Sequence, residues 1–359
     1  MKYRELWGDI ARGICIIFVL VRHSPVDIGT TNLITWFVMP AFFIISGYFS
    51  KPLDSKAALI SWLKKRTGRL LIPYFTFLII LSLLVVVLEF MHINIATTSD
   101  NFNLVNIIIG GRALPGLLIP LWYITVLYLT QVYFTIINQK LKTATKCLIP
   151  IAIAYVVAHV ESWLVHDHSF PAYVPFGADI ALLALSYYAF GFYAKSFLGT
   201  FKKQIFLASG VFVASMIGLN ALGVFDYTLN MIELEYTNFV LDIVIPVITT
   251  VFFIQCCHLI IGGRIRDFFV VIGKNSLAIY VLSGVIYGAF LSSVSLLLGS
   301  TLASSLIIIV VGGILALIIP LIVSILIINR FRITRILFAG QYEGSKANKD
   351  RAAVSEGKP

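Results

Sequence analysis

Apolar residues in this chain come in long unbroken runs, each about 20 residues, the length a helix needs to cross a hydrocarbon core. Ten runs stand out, at 10–26, 33–49, 70–91, 118–138, 147–165, 176–197, 205–222, 239–261, 268–292 and 302–328. They are continuous, not alternating in the two-residue period of a barrel strand, so a closed β-barrel is disfavoured. The pattern predicts an all-α integral membrane protein of about ten transmembrane helices.

The polar stretches between the runs set its orientation. Lys51, Lys56, Lys64, Lys65, Arg66 and Arg69 separate the second and third runs. Lys140, Lys142 and Lys146 follow the fourth, and Lys195, Lys202 and Lys203 close the sixth and precede the seventh. Arg264 and Arg266 precede the ninth, and Arg330, Arg332 and Arg335 follow the tenth. The intervening loops are nearly free of basic residues apart from Arg112, and one carries Asp226, Glu233 and Glu235. This alternation obeys the positive-inside rule for an even number of spans with the N- and C-termini both cytoplasmic.

Composition narrows the class further. Of 359 residues 59% are hydrophobic and 12% charged, which excludes a soluble globule. The net charge of +10 is mostly the topology signal just described, so no nucleic-acid partner is expected. The first run keeps polar residues and lacks a small-residue cleavage site, and it reads as a retained helix. Cys15, Cys147, Cys256 and Cys257 lie in or beside apolar runs without metal-ligand spacing or a disulfide framework. No resident metal or tightly bound cofactor is expected. Residues 341–359 are small, polar and charged and are expected to form a disordered cytoplasmic tail, leaving 1–340 as one transmembrane domain.

The sharpest chemical feature lies in the first run. Arg12 and His23 are eleven residues apart, which on a helix is three turns plus about 20°, so they share one face about 16 Å apart along the axis. Titratable groups are costly in a bilayer and mark function when they face its interior. Asp9, three residues before Arg12, can orient the guanidinium. In the second run Pro40 is expected to kink the helix, and Ser46-Gly47 offers a small polar step. Lys65, Arg66 and Arg69 form a basic cluster suited to phosphates. Lys274, beside Gly273, Asn275 and Ser276, carries polarity toward the ninth run. Glu161, Asp179 and Asp242 need partners if buried, and His23 is a candidate for orientation by one of them. His166 and His168 flank Asp167 in a loop, where solvation is favoured over metal binding.

These residues resemble a known group. Arg4-Glu5-Leu6-Trp7-Gly8-Asp9-Ile10-Ala11-Arg12-Gly13, followed by His23-Ser24, is similar to the opening of acyltransferase family three, nearest its fucose 4-O-acetylase-like branch. The resemblance continues through Met39-Pro40, Ser46-Gly47-Tyr48, Arg66, Arg69-Leu70-Leu71-Ile72-Pro73-Tyr74, Leu121-Trp122-Tyr123, Asp179, Gly191, Lys195 and Gly273-Lys274-Asn275-Ser276-Leu277. It implies transfer of an acyl group, usually acetyl, from cytoplasmic acyl-CoA to a hydroxyl of a cell-envelope sugar or polysaccharide. It also implies a multi-pass protein of the bacterial plasma membrane, with acetyl-CoA as donor substrate. By motif position His23 is the candidate catalytic base or acyl relay, grouped with Arg12. Arg66, Arg69, Lys65, Ser46 and Lys274 are the candidate donor-binding set. The chain departs from the pattern at Val38 and Ser283, where relatives often carry histidine.

A transporter or flippase for a lipid-linked glycan is the rival reading, since Pro40, Pro246 and Pro320 are broken-helix signals. No matching pair of interrupted helices in two halves supports it. A non-catalytic membrane scaffold is the third reading.

Overall fold

The computed structural model describes residues 5–23, 31–92, 103–167, 173–298 and 307–341. In chain order the helices are α1 (Trp7–Arg22), α2 (Thr31–Thr35), α3 (Val38–Tyr48), α4 (Lys56–Phe90), α5 (Leu104–Ile109), α6 (Trp122–Leu141), α7 (Ala144–Asp167) and α8 (Ile180–Tyr193). They continue as α9 (Lys195–Leu198), α10 (Lys203–Ala221), α11 (Leu241–Leu259), α12 (Gly263–Lys274), α13 (Ser276–Leu298), α14 (Ile308–Ile328) and α15 (Arg332–Ala339). Among the described residues the one sheet is a two-stranded antiparallel ladder, β1 (Leu229–Asn230) with β2 (Glu235–Tyr236).

Eight of these helices are long and apolar enough to cross a membrane: α4, α6, α7, α8, α10, α11, α13 and α14. They correspond to the third through tenth apolar runs, and the chain is an all-α integral membrane protein. Helix α4 shows how each span divides its surface. Phe77, Leu81, Val85 and Leu88 are buried, whereas Ile79, Leu83 and Val87 form an exposed apolar stripe at helical spacing. Such a stripe suits lipid, where apolar exposure costs nothing.

The first two runs fold differently from expectation. Helix α1 has 16 residues and ends with His23 as its C-cap. Residues 24–26, which complete the first expected span, lie outside the described set. The second run breaks at Phe37 (φ −142°, ψ −20°), not at Pro40. Pro40 occupies the first turn of α3, where its missing N–H would have had no intrahelical acceptor.

The ninth run is also split, at Asn275. Its first half, α12, is amphipathic and packs along α1. Gly13 and Gly273 let the two backbones touch: a Cβ on Gly273 would overlap the Asp9 carbonyl oxygen, and one on Gly13 the Phe269 carbonyl oxygen. At the break, Asn275 Nδ2 donates to the Val271 carbonyl (2.7 Å), while its Oδ1 accepts from Ser324 Oγ and Asn329 Nδ2 (2.8 Å each). Irregular backbone beside a span is tolerable where protein partners satisfy it in this way. Helices α3 and α8 meet through a second glycine pair, Gly47 against the Tyr188 carbonyl and Gly191 against the Ile44 carbonyl.

Helix α15 was not anticipated from the sequence. It follows α14 and docks on α4, with Phe338 edge-on to Phe77 (ring centroids 5.2 Å apart) and Gly340 against the Arg69 carbonyl. Gln341, the first residue of the expected tail, belongs to this packed region, and the rest of that tail lies outside the described residues. At the same end of the molecule Lys195 donates to the Ser50 carbonyl, which ties the α8–α9 corner to the α3–α4 loop. Partial burial pulls its ammonium below the ordinary lysine value.

The opposite end is closed by the 223–240 segment that carries the ladder. Trp36 Nε1 donates to the Tyr227 carbonyl (2.6 Å), Ser162 Oγ to the Leu234 carbonyl (2.5 Å) and His166 Nε2 to the Glu233 carbonyl (3.0 Å). These contacts cover the ends of α3 and α7 with buried Leu229, Met231 and Leu234.

Candidate functional site

A cavity of about 1050 Å³ opens where α1, α3, α4 and α6 meet the α12–α13 break and the chain after α15. Each wall is placed by a feature described above. The Gly13–Gly273 contact sets α1 beside α12, the Gly47–Gly191 contact sets α3 beside α8, and the Phe77–Phe338 contact sets α15 against α4.

Charge dominates its lining. Among the described residues Arg12, Lys51, Lys65, Arg66, Arg69 and Lys274 face it, against a single carboxylate, Asp9. Asp9 accepts from Arg12 Nη1 (3.4 Å), the local pairing expected from their three-residue spacing, and the Arg12 guanidinium stands 5.2 Å from the Phe49 ring centre. Such a surplus of cations draws polyanions, and a low-dielectric wall focuses the attraction. The rest of the lining is largely apolar and aromatic, with Ile16, Met39, Phe42, Tyr123 and Tyr280. Tyr123 packs against Phe42 and Phe43 (5.5 Å each) and Tyr280 (5.9 Å). The cavity thus combines a cluster of cations with an apolar and aromatic wall.

Of the candidates from sequence, Arg12, Ser46, Lys65, Arg66, Arg69 and Lys274 all line this one cavity although they come from four separate segments. His23 does not. The last α1 residue in the lining is Ile16, seven residues short of His23, or about 10 Å at 1.5 Å per residue. Buried Val19 and Leu20 occupy α1 between them. His23 is exposed at the end of α1 opposite Asp9 and Arg12.

Two of the three acids considered as partners for His23, Asp242 and Asp179, have other attachments. Asp242 accepts from His159 Nε2 (3.1 Å), whose Nδ1 donates to the Tyr155 carbonyl (2.9 Å), and Asp242 also accepts from the Asn238 N–H (3.1 Å). Asp179 accepts from Arg112 Nε (3.2 Å) and from the Ile180 N–H (2.8 Å). Val38 and Ser283 are both buried, and Ser283 Oγ donates to the Tyr280 carbonyl of its own helix (3.1 Å). His166 bonds to Glu233, and His168 lies outside the described residues. Among the described residues no three of His, Cys, Asp and Glu converge as a metal site would require. His258 donates to the Leu198 carbonyl (2.8 Å) and stacks near Trp7, which accounts for it as packing.

Sequence reasoning missed Gln131. It lies on α6, is wholly buried, lines the cavity, and accepts from Arg66 Nε. The signal was available: a carboxamide inside an apolar span is the kind of residue that membrane energetics makes conspicuous.

The fold and cavity together define a helical membrane protein with a basic chamber at one end, suited to an anionic ligand bearing an apolar arm. Residues 5–325 match the family model described as an acyltransferase domain, and the chain belongs to acyltransferase family three. No curated protein and no solved structure gives a significant match.

Proposed function

We propose that this membrane acyltransferase takes its acyl group, acetyl in the first instance, from cytoplasmic acyl-CoA and passes it to a hydroxyl of a cell-envelope sugar or polysaccharide. The observation that carries this reading is the cavity in which Arg12, Lys65, Arg66, Arg69 and Lys274 converge with almost no compensating carboxylate. Coenzyme A is polyanionic at its nucleotide end and slender at its pantetheine end. Its phosphates suit the cation cluster and its arm the apolar and aromatic wall beside Ser46 and Tyr123. On this reading the basic end of the bundle is cytoplasmic, and the fucose 4-O-acetylase-like resemblance favours a sugar acceptor.

His23, across the bundle from the cation cluster, acts in one of two ways. As a general base it takes the proton of the acceptor hydroxyl while the oxygen attacks the thioester carbon; the C–S bond breaks and the thiolate recovers the proton. As a relay its imidazole attacks the thioester carbon first, the C–S bond breaks and coenzyme A leaves as the thiol with the imidazole proton. The acceptor hydroxyl then attacks the acyl-imidazole, the N–acyl bond breaks and the released imidazole takes up the hydroxyl proton. Because the cavity ends at Ile16, either route requires the donor arm to pass the Phe42–Tyr123–Tyr280 layer.

The test is a vesicle assay with radiolabelled acetyl-CoA and envelope glycan. Wild type transfers label, and His23→Ala abolishes transfer while CoA still binds. Normal labelling by His23→Ala would overturn the assignment. Glycan movement without donor consumption would favour a flippase. Release of one equivalent of CoA before acceptor is added marks the relay route.

A further inference from the structure

Two half-buried arginines in this protein are held by different chemistry. Arg112 donates from Nε to a carboxylate, Asp179. Arg66 donates from Nε to a carboxamide, Gln131 Oε1, and no carboxylate pairs with it among the described residues. Gln131 is completely buried, and its Nε2 finds no acceptor among the described residues. An orphaned buried N–H is costly. A glutamate at this position would offer the same oxygen to Arg66, form an ion pair with it and leave no orphan donor. A glutamate would hold this arginine at least as tightly, at the cost of bringing a second charge into the wall.

What glutamine preserves is charge. Its oxygen fixes the Nε edge of the guanidinium, leaves Nη1 and Nη2 for another acceptor, and cancels none of the positive charge. The register that brings the two together is held one residue further along α4, where Thr67 Oγ1 and Tyr128 OH are hydrogen-bonded (2.9 Å). Lys65 and Arg69, one and three residues from Arg66, line the same wall. We propose that Gln131 is a positioning residue, which aims Arg66 at a phosphate of the donor while keeping that arginine uncompensated. The proposal rests on the acyl-CoA reading for the identity of the ligand, and on the Arg66–Gln131 geometry for its mechanism.

The test uses the full chain in lipid nanodiscs, with CoA and, separately, inorganic pyrophosphate as titrants. Gln131→Glu is expected to weaken both by about tenfold, to flatten the salt dependence of binding, and to leave the unfolding temperature equal or higher. With acetyl-CoA, KM rises and kcat holds. Gln131→Leu, which keeps the volume and removes the oxygen, is expected to weaken both ligands as well, with a lower unfolding temperature. A purely structural glutamine predicts the opposite pattern for glutamate, with unchanged affinity. Unchanged pyrophosphate affinity in either variant overturns the proposal, as does a wild type that binds neither titrant. A wild type that binds pyrophosphate but not CoA, with Gln131→Glu weakening it, supports the role of Gln131 and removes the acyl-CoA reading.

Discussion

The two ends of the bundle handle charge in opposite ways. At the hairpin-covered end, the Arg112 guanidinium meets Asp179 and the His159 ring meets Asp242, each at 3.1–3.2 Å from its acid. At the other end six cations line a cavity with one carboxylate. The first arrangement is self-contained: its charges satisfy one another and hold helices together. The second is open: among the described residues its cations outnumber the acids that face them. Charge inside a membrane protein is therefore not one signal but two, and the partner list separates them.

The comparison is sharpened most by Asp179→Ala. Removing one member of a buried pair strands the other and costs about 3–5 kcal/mol, so a large drop in unfolding temperature in detergent is expected. A small drop would mean that Arg112 is not held as described. Arg66→Ala should do the reverse. Donor binding is expected to fall by an amount worth about 1.5–3 kcal/mol, the range for hydrogen bonds to charged groups. Unfolding should move far less than in Asp179→Ala. Next in size is salt: raising ionic strength should increase the KM for acyl-CoA several-fold by screening the open cluster, with little change in stability, because buried pairs are screened much less. The smallest effect belongs to exposed Lys274, where Ala should raise the donor KM by about twofold. A larger change would show that the α12–α13 break grips the ligand directly.

Much of the fold was legible because a bilayer imposes simple demands. Runs of apolar residues gave eight of the helices, and the basic cluster of Lys65, Arg66 and Arg69 sits on the cavity wall. What was not legible depends on contacts between distant segments. The break at Asn275 needs Ser324 and Asn329, about 50 residues away, to make it favourable. Pro40 announced a kink, yet the irregularity settled at Phe37, where the chain turns between α2 and α3. Asp179 and Asp242 were weighed as partners for His23 because all were acids or bases expected at one end. Their actual partners, 67 and 83 residues away, are a matter of helix packing. Gathering Ser46 and Lys274 around Arg12 likewise required α3 and the α12–α13 corner to be brought against α1.

The paired glycines have a further consequence. Where Gly13 meets Gly273 and Gly47 meets Gly191, main chain rests on main chain. The spacing of α1 from α12 and of α3 from α8 is therefore set by backbone contact, and a side chain at any of these four glycines would push two helices that frame the chamber apart.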